Sequence, residues 1–282
     1  MTSEKKVLVL VPLSNKYPSK QILNSIKKTW GNNKICETIF YFGDKDEDKF
    51  IENNLELKIP NDFKNFGNKT LKCFEKILEE KEFDYIFRTN TSSYIDKQKL
   101  LNFINDQEGL NYYAGKIEYF PGLNFDFCSG AGYFLSRDLV ELVCKNKDGW
   151  DHNLNEDVAL GHLIKKLNIK HSSLERYDIE SLSDIKNLDM NYFHFRFRID
   201  KSGYPRIFEI LILKIIHLKT KNIQDPRNKI SQQMVNEIFL NFLLLLLIIS
   251  KMFNIMYFIK KNEKLDYWFK KYIINKKPPW EI

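Results

Sequence analysis

Two acidic residues, Glu156 and Asp157, open a helix-like segment that reads EDVALGHLIKKL. A carboxylate that ionises near neutral pH can act as a general base if it reaches a substrate hydroxyl. Acidic residues at a helix N-terminus also complement the helix dipole, which is a purely structural role. The pair is therefore a candidate catalytic site with a structural alternative, and residue type alone does not decide between them.

A polar run, RTNTSS, follows the segment FDYIF at residues 83–87. That segment alternates large apolar residues, which predicts a buried strand. In α/β proteins, ligands bind beyond the carboxyl ends of such strands. The run contains no carboxylate, histidine or cysteine, so its candidate ligand-binding side chains are Arg88, Asn90, Thr91 and Ser92.

A second group of cations lies in the segment FHFRFRI, which alternates strictly between aromatic and basic residues. His194, Arg196 and Arg198, here called the cationic stripe, share one face of the expected strand. Such cations can neutralise the charge of a leaving group as a metal ion would. The structural alternative is a solvated strand face.

Alternating strand-like and helix-like segments continue to about residue 200, and this order predicts an α/β fold with a largely parallel sheet. The sequence contains neither a G-x-G-x-x-G fingerprint nor a P-loop. Gly130 and Gly132 interrupt an apolar stretch at 124–136, which predicts a bend or a close backbone approach.

The composition is that of a folded protein, with 43% hydrophobic and 29% charged residues. Four cysteines form no CxxC pair and no signal-peptide pattern is present, so we expect reduced thiols and a cytoplasmic location. Residues 206–282 hold 14 Lys+Arg against 6 Asp+Glu, which accounts for the net charge of +7. This uneven charge argues for a local anionic partner and against nucleic acid.

The same C-terminal part is apolar as well as basic, so we divide the chain into a domain at 1–205 and a helical tail at 206–282. Its longest apolar run, Ile238 to Ile249, is shorter than the roughly 20 residues of a spanning helix. We expect the tail to bind an anionic membrane surface. Packing on the domain or on a partner, and a true membrane span, are the alternatives.

Four segments, in order, resemble the β1,3-glycosyltransferase family that contains Fringe and the β1,3-galactosyl- and N-acetylglucosaminyltransferases. SIKKTWG at 25–31 is similar to the family's IRxTWG, and IPNDFKNFGNKTLKCFEKI at 59–77 resembles DFxDxYxNLTLKT. FCSGAGYFLSRDLV at 127–140 resembles YCSGxGYxLSxDLV, and EDVALGHLIKKLNI at 156–169 resembles EDVxxGxxLxxLGI. Together they extend from residue 25 to residue 169.

The resemblance implies a GT-A fold, here with a C-terminal helical extension, and an inverting transfer without a covalent intermediate. Asp157 matches the family's general base, with Glu156 beside it. Asp62 and Lys72 match positions that would contact the nucleotide or fix its loop. The two glycines, Gly130 and Gly132, would let the backbone approach the donor sugar.

RTNTSSYID occupies the position of the family's KTDDDVFV, whose carboxylates hold a divalent metal. Asn90, Thr91 and Ser92 replace the three aspartates, and neutral oxygens lack the charge that retains Mn²⁺ or Mg²⁺. We therefore expect no metal cofactor, since either ion would have to bind without its usual carboxylates. Arg88 and the cationic stripe would accept the charge of the leaving diphosphate, with His194 near the family's histidine ligand.

These inferences predict a metal-independent transfer of a hexose-type sugar from a nucleotide donor, such as a uridine diphosphate sugar, to a glycan hydroxyl. A lipid-linked glycan would place the protein on the cytoplasmic face of a membrane during surface polysaccharide synthesis. The alternative is an inactive relative that binds a glycan or a nucleotide sugar as the partner of an active transferase.

Overall fold

The structure is a computed structural model that describes residues 4–107 and 109–224. Its strands are β1 Val7–Pro12, β2 Glu37–Phe42, β3 Lys49–Ile51, β4 Asn54–Glu56, β5 Tyr85–Thr89, β6 Ser93–Ile95, β7 Tyr113–Phe120, β8 Phe125–Ser136, β9 Ser172–Ser173, β10 Tyr177–Ile179 and β11 His194–Phe197. Its α-helices are α1 Ser19–Ile26, α2 Phe66–Glu80, α3 Lys97–Asn105, α4 Arg137–Lys145, α5 Glu156–Lys166, α6 Leu182–Lys186 and α7 Glu209–Gln224.

The strands form a mixed eight-stranded sheet in the order β3-β4-β2-β1-β5-β8-β7-β9 and a small sheet in the order β10-β11-β6. The α/β fold class is confirmed. The expectation of a largely parallel sheet holds for β1, β2, β4 and β5 but is wrong for β7 and β8. Only four residues connect β7 to β8, and so short a connection joins antiparallel neighbours.

The first strand shows why the sheet is covered on both faces. Val7, Val9 and Val11 belong to one apolar cluster, which also contains residues of α1, α3 and α7. The intervening Leu8 and Leu10 belong to a second cluster, together with residues of α2, α4 and α5. Burial of both faces explains the continuous apolar run at the start of the sequence.

The polar loop that follows β5 is followed in turn by β6 and by α3. The Asp96 side chain accepts a hydrogen bond from the Lys99 amide at 3.3 Å, so Asp96 is the N-cap of α3. The loop at 90–92 therefore lies between β5 of the large sheet and β6 of the small sheet. This position places it where the two sheets meet.

Helix α7 packs on the domain, although the sequence division places it in the tail. Ile212, Leu213, Ile215 and Ile216 are buried in the cluster that contains α1. Residues 225–282, where most of the expected membrane-binding tail falls, lie outside the described residues. Within the described ranges, no helix has the length and apolar character needed to cross a membrane.

Candidate active site

A cleft of about 820 Å³, here called the central cleft, is lined by residues of β5, β8 and the start of α5. A smaller pocket of about 410 Å³, the loop pocket, lies beside the ends of β1 and β5. Both are lined by Asn90 and Arg196, together with Phe63 and Phe66, so the two spaces adjoin. Polar side chains thus surround a site at the carboxyl ends of parallel strands, as expected for an α/β fold.

Asp157 lies in the wall of the central cleft, and its carboxylate is held by backbone groups. The Gly130 amide donates to Oδ2 at 2.7 Å, and the Val158 amide donates to Oδ1 at 3.0 Å. A Cβ on Gly130 would lie 2.7 Å from Oδ2, so glycine is required for this approach. The carboxylate is half-buried and oriented, as a general base in the cleft must be.

Glu156 differs from its neighbour because it is buried and both of its oxygens are engaged. Oε2 lies 2.8 Å from Arg88 Nη2, and Oε1 accepts from the Tyr133 hydroxyl at 2.6 Å. Burial raises the pKa of the Glu156 carboxyl, and Arg88 opposes that increase. We therefore revise the catalytic interpretation of Glu156: its geometry serves to hold Arg88.

Arg88 is likewise buried, with 2% of its surface exposed, and it connects β5 to β8. Its guanidinium donates to the Gly130 carbonyl and lies over the rings of Phe66 and Tyr133. Burial disfavours the charged form, but Glu156 raises the pKa of Arg88 overall. Arg88 therefore stays charged in the floor of the cleft, next to the backbone that orients Asp157.

The side chains of Asn90, Thr91 and Ser92 accept hydrogen bonds from arginines. Arg196 Nη1 donates to Asn90 Oδ1 at 3.3 Å and to the Ser92 carbonyl at 3.0 Å. Arg206 Nη2 donates to Thr91 Oγ1 at 3.1 Å and to Ser92 Oγ at 2.9 Å. The loop is thus a hydrogen-bonded platform for two guanidinium groups.

This donor set does not fit a divalent cation. The three side chains are neutral, and their oxygens already accept from positively charged groups, which would repel a metal ion. Within the residues that the structure describes, no group of three or more His, Cys, Asp or Glu side chains could hold a metal.

Arg196 and Arg198 of the cationic stripe line the central cleft, and Arg176 lines it as well. Burial, opposed by Glu209 but assisted by repulsion from Arg176, Arg198 and Arg206, lowers the pKa of Arg196 to about 10. Positive charge is therefore concentrated around Arg196. A neighbouring anion would relieve this repulsion.

Sequence reasoning missed Arg176, which follows the two-residue strand β9 and precedes β10. Its Nε donates to Asp178 Oδ1 at 2.7 Å, and Nη2 lies 3.6 Å from Glu118 Oε1. Its Nη1 is buried and has no hydrogen-bond partner among the described residues. Such short strands carry too little periodicity to show that this arginine faces a cleft.

His194 does not face either pocket, and its expected role in donor binding is corrected. The residue is 1% exposed, and Nε2 lies 3.2 Å from Ser93 Oγ. The ring meets Phe87 edge-on at 5.4 Å, and burial lowers its pKa well below the usual value, with a further decrease from Arg176. The imidazole is therefore a neutral part of the protein core, and it packs against the backbone of Gly132.

Gly132 is needed for that packing and not for an approach to a donor sugar. A Cβ at this position would clash with His194 and would lie 2.8 Å from Phe87 Cζ. The predicted irregularity is confirmed within strand β8, because its register with β7 shifts between the pairs Gly115–Tyr133 and Ile117–Cys128, which enclose both glycines. Gly130 alone borders the central cleft.

The two remaining predicted donor contacts fall away from the central cleft. Lys72 lines a separate groove and pairs with Asp48 at 3.4 Å and with Glu75 at 3.6 Å. Asp62 lies at the edge of the loop pocket, where its Oδ1 accepts from the Asn65 amide at 2.8 Å. In the structure, Asp62 therefore fixes the turn before α2.

Lys69, a residue that sequence reasoning missed, lines the loop pocket one turn earlier on α2. It is 2% exposed, and Nζ donates to the Leu13 carbonyl at 2.9 Å and to Asn61 Oδ1 at 2.7 Å. Burial, together with the nearby charge of Arg88, lowers the pKa of Lys69 to about 8. A lysine on the apolar face of a helix is the sequence signal that could have identified it.

Comparison with known proteins bears on the same region. Residues 107–175 match the family model described as Galactosyltransferase. The human UDP-GalNAc:beta-1,3-N-acetylgalactosaminyltransferase 2 is 22% identical over 134 residues. These findings confirm the resemblance drawn from the sequence. Residues 107–175 are thus similar to the galactosyltransferases of that family.

The match to this family covers the strand with Gly130 and the helix with Asp157, both within 107–175. The alignment with the human enzyme covers 42% of this chain, and this chain spans only 27% of that enzyme's length. The similarity to β1,3-glycosyltransferases therefore covers part of the chain, and the activity of the whole protein is a matter for proposal.

Solved structures show a weaker likeness. A glycosyltransferase involved in the glycosylation of the major capsid of PBCV-1 is 9% identical, with a TM-score of 0.46 over 74% of this chain and 99% of that chain. A 4-diphosphocytidyl-2C-methyl-D-erythritol synthase from Anaerococcus prevotii is 10% identical, with a TM-score of 0.42 over 61% of this chain and 87% of that chain. Because both scores are low, the similarity to glycosyltransferases depends on the sequence matches.

Proposed function

We propose that the protein is an inverting glycosyltransferase that moves a hexose-type sugar from a uridine diphosphate sugar to a glycan hydroxyl. The observation that carries this proposal is the oriented Asp157 carboxylate, held at 2.7 Å by the Gly130 amide in the wall of the central cleft. The family relationship of residues 107–175 supports the same reaction class.

In the proposed step, the acceptor oxygen attacks the anomeric carbon of the donor sugar while Asp157 takes the hydroxyl proton. A new carbon–oxygen bond forms on one face of the sugar, and the bond to the diphosphate breaks on the other. The electron pair of that bond leaves with the nucleoside diphosphate. Configuration inverts because the two events occur on opposite faces.

The leaving diphosphate would be stabilised by protein cations and not by a metal ion. Arg196 is anchored on the polar loop at 3.3 Å from Asn90 Oδ1, and Arg198 lines the same cleft. Arg88 adds a further positive charge in the floor of the cleft, where its 2.8 Å ion pair with Glu156 holds it in place. Fixed guanidinium groups that face a developing charge lower the barrier without reorganising during the step.

The second candidate is an inactive relative that binds a nucleotide sugar without transferring it. The observation that favours it is the loop itself, whose neutral side-chain oxygens accept from the positively charged Arg196 and Arg206 and so disfavour a metal ion. Both candidates predict donor binding, and only the enzyme predicts turnover.

Donor turnover in EDTA distinguishes the two candidates. For the enzyme, transfer or slow donor hydrolysis persists in EDTA and falls by about 10²- to 10⁴-fold in Asp157→Asn, the range of general base catalysis. Lys72→Ala is the matched control because Lys72 lines a different groove, and it should retain full activity. A strict requirement for Mn²⁺ would refute the metal-independent step, and donor binding without turnover would favour the inactive relative.

We further propose that the basic segment after residue 224 attaches the protein to an anionic membrane surface on the cytoplasmic side. The support is the charge of residues 225–282, with 10 basic against 5 acidic residues. Sedimentation with anionic and with neutral lipid vesicles tests this attachment. Equal sedimentation with both vesicle types, or with neither, would refute it.

A further inference from the structure

The loop pocket includes Arg206 and Glu209, two residues that lie at the start of the C-terminal segment. Arg206 precedes α7, and Glu209 is its first residue. Both contact the polar loop that replaces the family's acidic triplet. The C-terminal segment thus supplies charged groups to the site, although it looks from sequence like a tail.

The Arg206 guanidinium is fixed along one edge. Its Nη2 donates to Thr91 Oγ1 at 3.1 Å and to Ser92 Oγ at 2.9 Å, while Nε lies 3.2 Å from Glu209 Oε1. The side chain of Arg206 remains 43% exposed, whereas that of Glu209 is 3% exposed. A guanidinium with five donors, held on one edge and open on the other, can bind a phosphate group bidentately.

Glu209 is held in place as firmly as the arginine. Ser92 Oγ lies 3.0 Å and 2.9 Å from its two carboxylate oxygens. The helix that begins at Glu209 is anchored by buried apolar residues in the core cluster. Arg206 therefore has a fixed position relative to the loop before any ligand binds.

The charges that face the loop pocket favour an anion close to the polar loop. Arg206 Nε lies 3.2 Å from the Glu209 carboxylate, which also attracts Arg196 electrostatically, and the buried Lys69 donates to neutral oxygens. Asp62 and Asp200 also line the pocket and partly offset this charge. The cations cluster beside the polar loop and the end of β1.

We propose that Arg206 binds the phosphate groups of a nucleoside diphosphate in the loop pocket and that Glu209 is its positioning residue. The proposal rests on the proposed function, since it places the diphosphate of the same donor. It adds that the first residues of the C-terminal segment belong to the donor site, in the region where a metal ion would act in an enzyme with the acidic triplet.

The test compares the binding of uridine diphosphate and uridine monophosphate to the full chain in EDTA by isothermal titration calorimetry. In Arg206→Ala, affinity for the diphosphate should fall about tenfold to a hundredfold, as expected for the loss of a charged hydrogen bond. Affinity for the monophosphate should change much less. Arg206→Lys should lie between the alanine variant and the natural protein.

Lys214→Ala is the matched control, because it removes one positive charge from an exposed position of the same helix. It should leave both affinities unchanged. Thermal unfolding of each variant shows whether it remains folded during the titration.

Three results would overturn the proposal. Unchanged diphosphate affinity in Arg206→Ala would show that the arginine does not contact phosphate. An equal fall for both nucleotides would show that it only holds the loop in place. Failure of the natural protein to bind either nucleotide would refute the proposed function itself, and with it this inference.

Discussion

Replacing Glu156 with glutamine should destabilise the protein, although it leaves the proposed general base, Asp157, unchanged. The change leaves Arg88, which is 2% exposed, without the carboxylate that lies 2.8 Å from its guanidinium. Removing one partner of a buried ion pair costs about 3–5 kcal/mol. Glutamine keeps an oxygen for Arg88 and a partner for the Tyr133 hydroxyl, so we expect the free energy of unfolding to fall by about 3 kcal/mol, the lower end of this range.

Asp157→Asn is the contrasting variant at the next position. Its side chain is half-buried and keeps an oxygen for the Gly130 amide but loses the acceptor of the Val158 amide, so stability should fall by only about 1 kcal/mol. Transfer should nevertheless be lost, because an amide cannot take a proton. Of these two adjacent acidic residues, Glu156 would thus affect mainly stability and Asp157 mainly catalysis.

Urea denaturation gives the free energy of unfolding of each variant, and a double-mutant cycle isolates the pair. Arg88→Met combined with Glu156→Gln should cost clearly less than the sum of the two single changes, because no buried charge is left alone. If Glu156→Gln changed stability by less than about 1 kcal/mol, or if the two changes were additive, the description of a buried, coupled ion pair would be refuted.

Two further predictions concern the core beside the site. Because the pKa of His194 is lowered in the native state, unfolded chains bind a proton that the native state does not. The free energy of unfolding should therefore fall as the pH drops below the unfolded pKa of about 6.5, by up to about 1.4 kcal/mol per pH unit. Urea denaturation at pH 7.5 and pH 5 should show a smaller loss in His194→Phe, and equal losses would contradict the neutral imidazole. Gly132→Ala should lower the free energy of unfolding by about 1–3 kcal/mol, because the new Cβ would lie 2.8 Å from Phe87 Cζ. Gly130→Ala should instead mainly lower the rate of transfer, because the new Cβ would displace Asp157. Denaturation and transfer assays on both variants check this contrast, which would fail if Gly130→Ala retained full activity.

The sequence predicts the parts of the fold whose patterns are long and regular. The helix expected at 156–167 is α5 Glu156–Lys166, and the first strand is buried on both faces as its continuous apolar run suggests. Strand β7 was not predicted, because its outer half is polar and partly exposed. Without β7, the hairpin that makes part of the sheet antiparallel could not be inferred.

The candidate site was predictable where it depends on local sequence and unpredictable where it depends on distant contacts. Asp157 was identified from a motif. Alternation showed that His194 and Arg196 share a strand face, but not that the histidine end of that face is buried against Phe87. Arg206 meets Ser92 across 114 positions, and no local pattern carries information over such a separation.

The distances along the chain between the polar loop and its partners also constrain when the site can form during synthesis. Bonds from Ser92 reach residues 104 to 117 positions later. A nascent chain that has already folded β1 and β5 must therefore wait for residues 196–209 to leave the ribosome before the loop can contact Arg196, Arg206 and Glu209. Shorter translation products would carry the loop with its hydroxyl and amide groups in water.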